Sequence, residues 1–130
     1  MQATVDGVRW RLHFEHTPPA LRKSKGNVKA VTLCSIEQYE MIGEGETRME
    51  GWRVLGANTT SCGRKDRFTK EQGRQFAMIR TLRAVDLPKP VKAKLIEAYI
   101  KSGNRFMCHD LWAKGFDSLY DCVFRTGVKV

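Results

Sequence analysis

The chain has 130 residues, of which 42% are hydrophobic, and it carries a formal net charge of +9. This length fits a single domain over residues 1–130, and such a domain can build a core without disulfide or metal support. The sequence contains no apolar run of the length that a membrane-spanning helix needs, whereas its positive charge favours a polyanionic partner such as nucleic acid.

The start of the chain and its cysteines bear on the cellular compartment. Met1 to Asp6 contains no basic residue and no apolar stretch follows it, which argues against a secretory signal peptide. We therefore expect a cytoplasmic protein, located in the host cytoplasm if it is viral. In that compartment cysteines stay reduced and act as small apolar residues. We therefore predict that all four cysteines are free thiols: Cys34, Cys62, Cys108 and Cys122.

Three segments in the first half of the chain carry the patterns of β-strands. In the first, a polar residue separates each pair of apolar ones, and the apolar set is Val8, Trp10, Leu12 and Phe14. The second strand is the β-branched segment 29–36, and the third is 52–57, after a turn marked by Gly43 and Gly45. The connections are too short or too irregular for crossover helices, so the strands are predicted to form an antiparallel sheet.

Helical patterns follow in the second half. Thr69 and Gln72 have the spacing of a capping box, and the helix that they open runs to the Leu87–Pro90 stop. A second helix is predicted from about Pro90 to Ser102. A third has its apolar stripe at Phe116, Leu119, Tyr120, Val123 and Phe124. The predicted fold is therefore α+β, with an N-terminal three-stranded antiparallel sheet followed by two to three packed helices.

Charge is concentrated in two segments. Residues 64–94 hold ten basic and three acidic residues, a net charge of +7, whereas residues 36–50 hold five glutamates and one arginine, a net charge of −4. Phosphate is favoured at a helix N-terminus, because unpaired N–H groups and the helix dipole both point there. The loop and first turns of the first helix therefore form the candidate nucleic-acid site, with Arg64, Lys65, Arg67, Lys70, Arg74 and Arg80.

Two other interpretations of the charge remain open. The basic residues can simply solvate an exposed helix face, or they can contact an acidic protein. In the second case the protein is an inhibitor of a host nucleic-acid-binding effector, for example an anti-defence or anti-CRISPR protein or a host-takeover factor. The acidic segment 36–50 would then occupy the effector's basic nucleic-acid channel.

The segment 62–82 resembles a segment in small uncharacterised proteins of phages and other mobile elements. There, a strand with a cysteine leads through an Asp-x-Phe-x-Lys turn into a Gly-Arg-x-x-Ala-x-x-Arg helix. The matching positions here are Cys62, Asp66, Phe68, Lys70, Gly73, Arg74, Ala77 and Arg80. The resemblance implies a viral accessory function and no known activity. A fainter likeness links the same stretch to the end of a double-stranded RNA binding domain.

The sequence favours neither an enzyme nor a cofactor. Cys62, Cys108, His109 and Cys122 are a conceivable zinc set, but they lack the close cysteine pairs of structural zinc sites. A Cys108–His109 nucleophile pair has no orienting partner in the sequence. We therefore predict no catalytic residue, no metal site and no cofactor. Trp10, Trp52, Trp112, Phe106 and Phe116 are expected in the core, although an aromatic exposed among basic residues would stack on bases.

Overall fold

A four-stranded antiparallel sheet forms the first half of the protein. Our computed structural model describes residues 1–17, 28–43, 45–63, 70–107, 109–128 and 130. The strands are β1 (Gln2–Val5), β2 (Val8–Thr17), β3 (Val28–Ile42) and β4 (Met49–Gly63), and they lie in the sheet in chain order. A short 3₁₀ turn, Gly45–Thr47, precedes β4.

The prediction of three strands was wrong, because it omitted β1. This strand pairs with β2 through a tight hairpin at Asp6 and Gly7, whose φ angles are 51° and 78°. Two positive φ angles in a two-residue loop are typical of the hairpin turns that Asp-Gly favours. The strands β3 and β4 are also longer than predicted, at 15 residues each.

Four helices follow the sheet, so the structure has the predicted α+β class. They are α1 (Lys70–Ala84), α2 (Lys89–Lys101), α3 (His109–Ala113) and α4 (Leu119–Phe124). The prediction of two to three helices missed α3, which has only five residues. The third predicted helix corresponds to α4, which Ser118 caps by accepting a hydrogen bond from the Asp121 N–H at 3.1 Å.

The helices cover one face of the sheet, here called the inner face. Helix α1 packs against β3 and β4, and α2 packs against β1 and β2. The core between them is apolar; its sheet residues are Trp10, Leu12, Cys34 and Ile36, and its main helix residues are Ala77, Met78, Ile79, Leu82, Leu95, Ile96 and Tyr99. The Thr81 hydroxyl lies 2.6 Å from the Ala77 carbonyl oxygen of its own helix and 3.2 Å from that of Cys34, so its single proton is shared between these acceptors at the contact of α1 with β3.

Strand register defines two ends of the sheet. Val28 and Gly63 are register partners at one end, here called the basic end, while Ile42 and Met49 pair at the opposite, acidic end. The 15 residues of β3 span roughly 45 Å at the rise of a β-strand. Within the described part of the chain, no helix has the length and hydrophobicity to cross a membrane.

Candidate nucleic-acid interface

The structure describes only part of the predicted nucleic-acid site. Arg64, Lys65 and Arg67 lie outside the described residues. Lys70 is the first residue of α1, although its side chain is not described. Arg74 and Arg80 are described, and both are partly exposed.

Arg74 and Arg80 project from different sides of α1. They are six positions apart, so their side chains leave the helix in directions that differ by about 120° around its axis. The Arg80 guanidinium donates to the Thr59 carbonyl of β4 at 3.4 Å and lies 5.8 Å from the centre of the Phe76 ring. Arg74 lies one turn before Ala77 and Met78, which are fully buried. The two arginines therefore do not form one patch by themselves.

Other basic residues of the segment 64–94 stabilise the fold. Arg83 donates to three main-chain carbonyls near the end of the chain, those of Cys122, Arg125 and Val128, at 2.7, 3.0 and 2.6 Å. Lys89 lies 5.4 Å from the centre of the Phe124 ring, and Lys94 forms an ion pair of 3.3 Å with Glu97. The net charge of this segment thus overstates the number of cations that a ligand can contact.

Sheet topology connects two basic segments of the sequence to the same end of the sheet. The chain enters β3 at Val28 and leaves β4 at Gly63, and these residues pair with each other. The preceding segment 18–27 carries Arg22, Lys23 and Lys25, and the following segment 64–69 carries three further basic residues. Both segments are therefore attached at the basic end, a relation that the sequence alone did not reveal.

Helix α1 also begins at the basic end. Thr81 bonds to Cys34 and Arg80 to Thr59, both in the half of the sheet towards the basic end. From there the helix extends back by about ten residues, or roughly 15 Å, which brings Lys70 close to the level of Val28. The N-terminal turn of α1 thus lies at the end of the sheet where the two basic segments are attached.

Arg105 is a basic residue near this helix start that sequence analysis missed. Its carbonyl accepts a hydrogen bond from the Gln75 side-chain amide of α1. The Gln75 amide oxygen in turn accepts from the Met107 N–H at 2.9 Å, so that segment 105–107 lies against the first turns of α1. The Arg105 side chain is exposed. No motif surrounds Arg105 in the sequence, so only the tertiary contact reveals its position.

The acidic end carries exposed glutamates. Glu46 in the 3₁₀ turn and Glu50 at the start of β4 are exposed, and Glu40 forms an ion pair of 3.5 Å with Arg53. Among the described residues of segment 36–50, Arg48 is the one basic residue, and it is exposed. The separation of charge that the sequence indicated therefore extends along the sheet.

The aromatic residues divide between the core and the surface. Trp10 and Phe116 are buried as predicted, but Trp112 on α3 is 67% exposed. Trp52 lies on the sheet face away from the helices, here called the outer face, next to Tyr39 with ring centres 5.1 Å apart. The Trp52 and Tyr39 rings lie in the half of the sheet towards the acidic end, so neither is positioned to stack on a base held at the basic end.

Two of the four cysteines can be assessed, and both are free and buried: Cys34 and Cys122. Burial raises the pKa of the Cys34 thiol to about 12, while its contact with Thr81 lowers it slightly. Burial also raises the pKa of Cys122 to about 11, and the Asp121 carboxylate adds to this effect. The zinc and nucleophile alternatives depend on the side chains of Cys62, Cys108 and His109, which lie outside those that the structure describes.

Among the side chains that the structure describes, no group of three or more His, Cys, Asp or Glu residues is arranged to hold a metal ion. No family model matches the chain, and neither a curated protein nor a solved structure matches it.

Proposed function

We propose that this protein is a small non-enzymatic accessory protein, of the phage type, that binds the backbone of nucleic acid at its basic end. The binding residues are those of the basic loop and of α1: Arg64, Lys65, Arg67, Lys70, Arg74 and Arg80. The pairing of Val28 with Gly63 carries the proposal, because it attaches two basic segments at one end of the sheet.

Several cations and a helix N-terminus at one end favour phosphate for a general electrostatic reason. The N–H groups of the first helical turn lack intrahelical partners and the helix dipole is positive there, so both add to the side-chain charge. Contacts to phosphate supply affinity without reading sequence, and they release counterions from the nucleic acid. We therefore expect binding in the host cytoplasm that is insensitive to sequence and strongly weakened by salt.

Reversing three charges of this site tests the proposal. With Arg67, Lys70 and Arg74 replaced by glutamate, binding should weaken on every sequence alike. The slope of log K against log salt on duplex DNA should flatten by roughly 2–3, because each phosphate contact contributes about 0.9. The measurement is fluorescence anisotropy with labelled duplex and single-stranded oligonucleotides at several salt concentrations.

A matched control separates the site from net charge. Replacing Lys89, Lys92 and Lys94 of α2 by glutamate changes the net charge by the same amount away from the start of α1. Circular dichroism and urea unfolding verify that this variant folds, since Lys89 and Lys94 make contacts within the protein. This control should retain most of the affinity and most of the salt slope. Equal losses in the two triple variants, or a wild-type protein without affinity for nucleic acid at moderate salt, would contradict the proposal.

A second candidate function is supported by the acidic end. Exposed glutamates there, including Glu46 and Glu50, resemble the charge of a nucleic-acid strand to a host effector with a basic channel. In that case the protein is an inhibitor, such as an anti-CRISPR protein. Affinity capture from host lysate, with and without nuclease, distinguishes the candidates. Capture that depends on intact nucleic acid supports the first, whereas nuclease-resistant capture of one effector supports the second.

A further inference from the structure

The outer face of the sheet carries a cluster of arginine and aromatic side chains. We call this the arginine–aromatic cluster, and its members are Arg9, Arg11, Glu37, Tyr39, Glu50, Trp52 and Val54. The helices that the structure describes pack on the opposite face, yet Glu37 is only 7% exposed. Its shielding comes from neighbours on the outer face itself, since Arg11 forms an ion pair with the Glu37 carboxylate.

Contacts inside the cluster already satisfy its polar groups. The guanidinium carbon of Arg11 lies 4.3 Å from the centre of the Trp52 ring, and that of Arg9 lies 4.6 Å from the centre of the Tyr39 ring. The Tyr39 hydroxyl donates to the Glu50 carboxylate at 2.6 Å. This hydrogen bond raises the pKa of the Tyr39 phenol above its ordinary range. The cluster is therefore pre-organised.

Its composition fits a protein partner better than a nucleic acid. Tryptophan, tyrosine and arginine are the residues that dominate binding energy at protein interfaces. Arg9 and Arg11 are offset by Glu37 and Glu50, so the cluster offers no net attraction to phosphate. The guanidinium groups also lie over the aromatic rings on which bases would stack. Val54 beside them is 55% exposed and adds an apolar contact surface.

We propose that the outer face binds the same face of a second copy of this chain, with a two-fold axis running close to β3. Rotation about this axis places β2 of one copy over β4 of the other. The positively charged strand, with Arg9 and Arg11, then faces the strand that carries Glu50, Trp52 and Val54. Sheets stacked in this way lie about 10 Å apart, which suits interdigitating side chains.

The charges of the outer face are compatible with a second copy of the same face. A chain with a net charge of +9 repels another copy of itself. On this face β2 carries Arg9 and Arg11 whereas β4 carries Glu50, so these two strands present opposite charges to each other across the interface. Glu15 lies further along β2, where its carboxylate is 3.4 Å from the His13 ring. The inference goes beyond nucleic-acid binding and does not depend on it, because none of its residues belongs to the basic end.

Sedimentation velocity over a range of concentrations tests the interface. The wild-type protein should shift from the mass of the 14.9 kDa chain towards twice that value as concentration rises. Replacing Val54 by arginine should keep it monomeric, because each new cation would face Arg11 of the other copy. Met49 provides the matched control: it lies on the same strand, is 69% exposed and points to the other face. Met49→Arg should dimerise like the wild type, and circular dichroism verifies that both variants fold.

A mixing experiment tests the proposed pairing of β2 with β4. Arg9 lies level with Trp52 of the other copy, and Glu50 is two residues further along that strand. Arg9→Glu and Glu50→Arg should each weaken self-association, because each turns this diagonal attraction into a repulsion at two symmetric positions. An equimolar mixture should form heterodimers, in which both positions regain opposite charges. The proposal is overturned if the wild-type protein stays monomeric at the highest concentration, if Val54→Arg and Met49→Arg behave alike, or if the mixture associates no better than its components.

Discussion

At Gly56 the backbone of β4 approaches Val85, the residue that follows α1, so closely that a side chain does not fit without a shift. A Cβ atom built at this position would lie 2.3 Å from Cγ2 of Val85, far inside van der Waals contact. We expect Gly56→Ala to lower the free energy of unfolding by about 1–3 kcal/mol, since overpacking a tight contact forces a shift of the helix or strand. Urea unfolding at equilibrium measures this change.

The double variant with Val85→Ala provides the control for Gly56. Shortening Val85 removes the atom that the new methyl group meets, so the two changes together should cost less than the sum of their separate costs. A double-mutant cycle measures this coupling. Strictly additive effects would show that the clash with Val85 is not the cause of the loss.

The buried thiol of Cys34 makes stability depend on pH in the alkaline range. Its pKa rises from 9.0 to about 12 in the folded protein, so folding favours the neutral thiol. Below pH 9 the thiol is neutral in both states and this contribution is fully present; it is lost as pH rises from 9 towards 12. The expected loss is about 1 kcal/mol between pH 8 and pH 10.

Cys34→Ala isolates this effect from other alkaline titrations. Urea unfolding of this variant and of the wild type at pH 8, 9 and 10 should show a shallower decline for the variant, because tyrosine and lysine titrations are common to both. Parallel declines would indicate that the Cys34 thiol ionises as readily in the folded state as in the unfolded one. Cys34 was predicted from sequence to be a reduced thiol that acts as a small apolar residue, because a cytoplasmic protein was expected, and the structure confirms that it is free and buried.

Arg83 links α1 to the C-terminal segment that includes α4. Its guanidinium donates to three carbonyls, of Cys122, Arg125 and Val128, which otherwise have to find other partners near the end of α4. Hydrogen bonds from a charged group to partly buried carbonyls contribute more than neutral ones. We expect Arg83→Gln to lower the free energy of unfolding by about 2–4 kcal/mol, as measured by urea unfolding.

Arg80→Gln on the same helix is the comparison for Arg83. Arg80 makes one long main-chain hydrogen bond of 3.4 Å, so its loss should cost less than about 1 kcal/mol. If both variants lose the same stability, the three contacts of Arg83 do not hold the C-terminal segment. The comparison also shows why counting basic residues in 64–94 could not define the binding site, since Arg83 contributes its charge to the fold.

Strands and helices that carry a pattern within their own sequence could be predicted, whereas those that depend on pairing with another segment could not. Alternation along β2 and the apolar stripes of α1 and α2 are local patterns, and these elements lie close to their predicted positions. The hairpin signal Asp6–Gly7 was present but was not used, and β1 was missed with it. Beyond their predicted bounds β3 and β4 mix polar residues, such as Gln38 and Asn58, with apolar ones, so pairing across strands, rather than composition, extends them.

Over the whole molecule, the candidate site was predictable in charge but not in geometry. The sequence showed that 64–94 is basic and 36–50 acidic. That residues 18–27 attach beside residues 64–69 depends on the register of β3 with β4, and the position of Arg105 depends on its contact with Gln75. The arginine–aromatic cluster brings together side chains of β2, β3 and β4, and their contacts depend on the register between these strands, so no local pattern could have revealed it.

The acidic and basic ends of the sheet are far apart, so charges at the acidic end should hardly affect the binding of phosphate at the basic end. Segment 64–69 is attached at the basic end, and Glu40 and Glu46 lie at the acidic end, roughly 40 Å away along β3. The Debye length is only about 8 Å at physiological ionic strength, so these glutamates should have little influence on phosphate bound at the basic end.

Replacing Glu40 and Glu46 by glutamine should therefore change nucleic-acid affinity by less than about twofold at physiological salt. At low salt, where the Debye length grows to about 30 Å, the same variant should bind more tightly than the wild type. Anisotropy titrations at both salt concentrations measure the difference. A large gain at physiological salt would mean that nucleic acid contacts the acidic end as well, and that binding is not confined to the loop and first turns of α1.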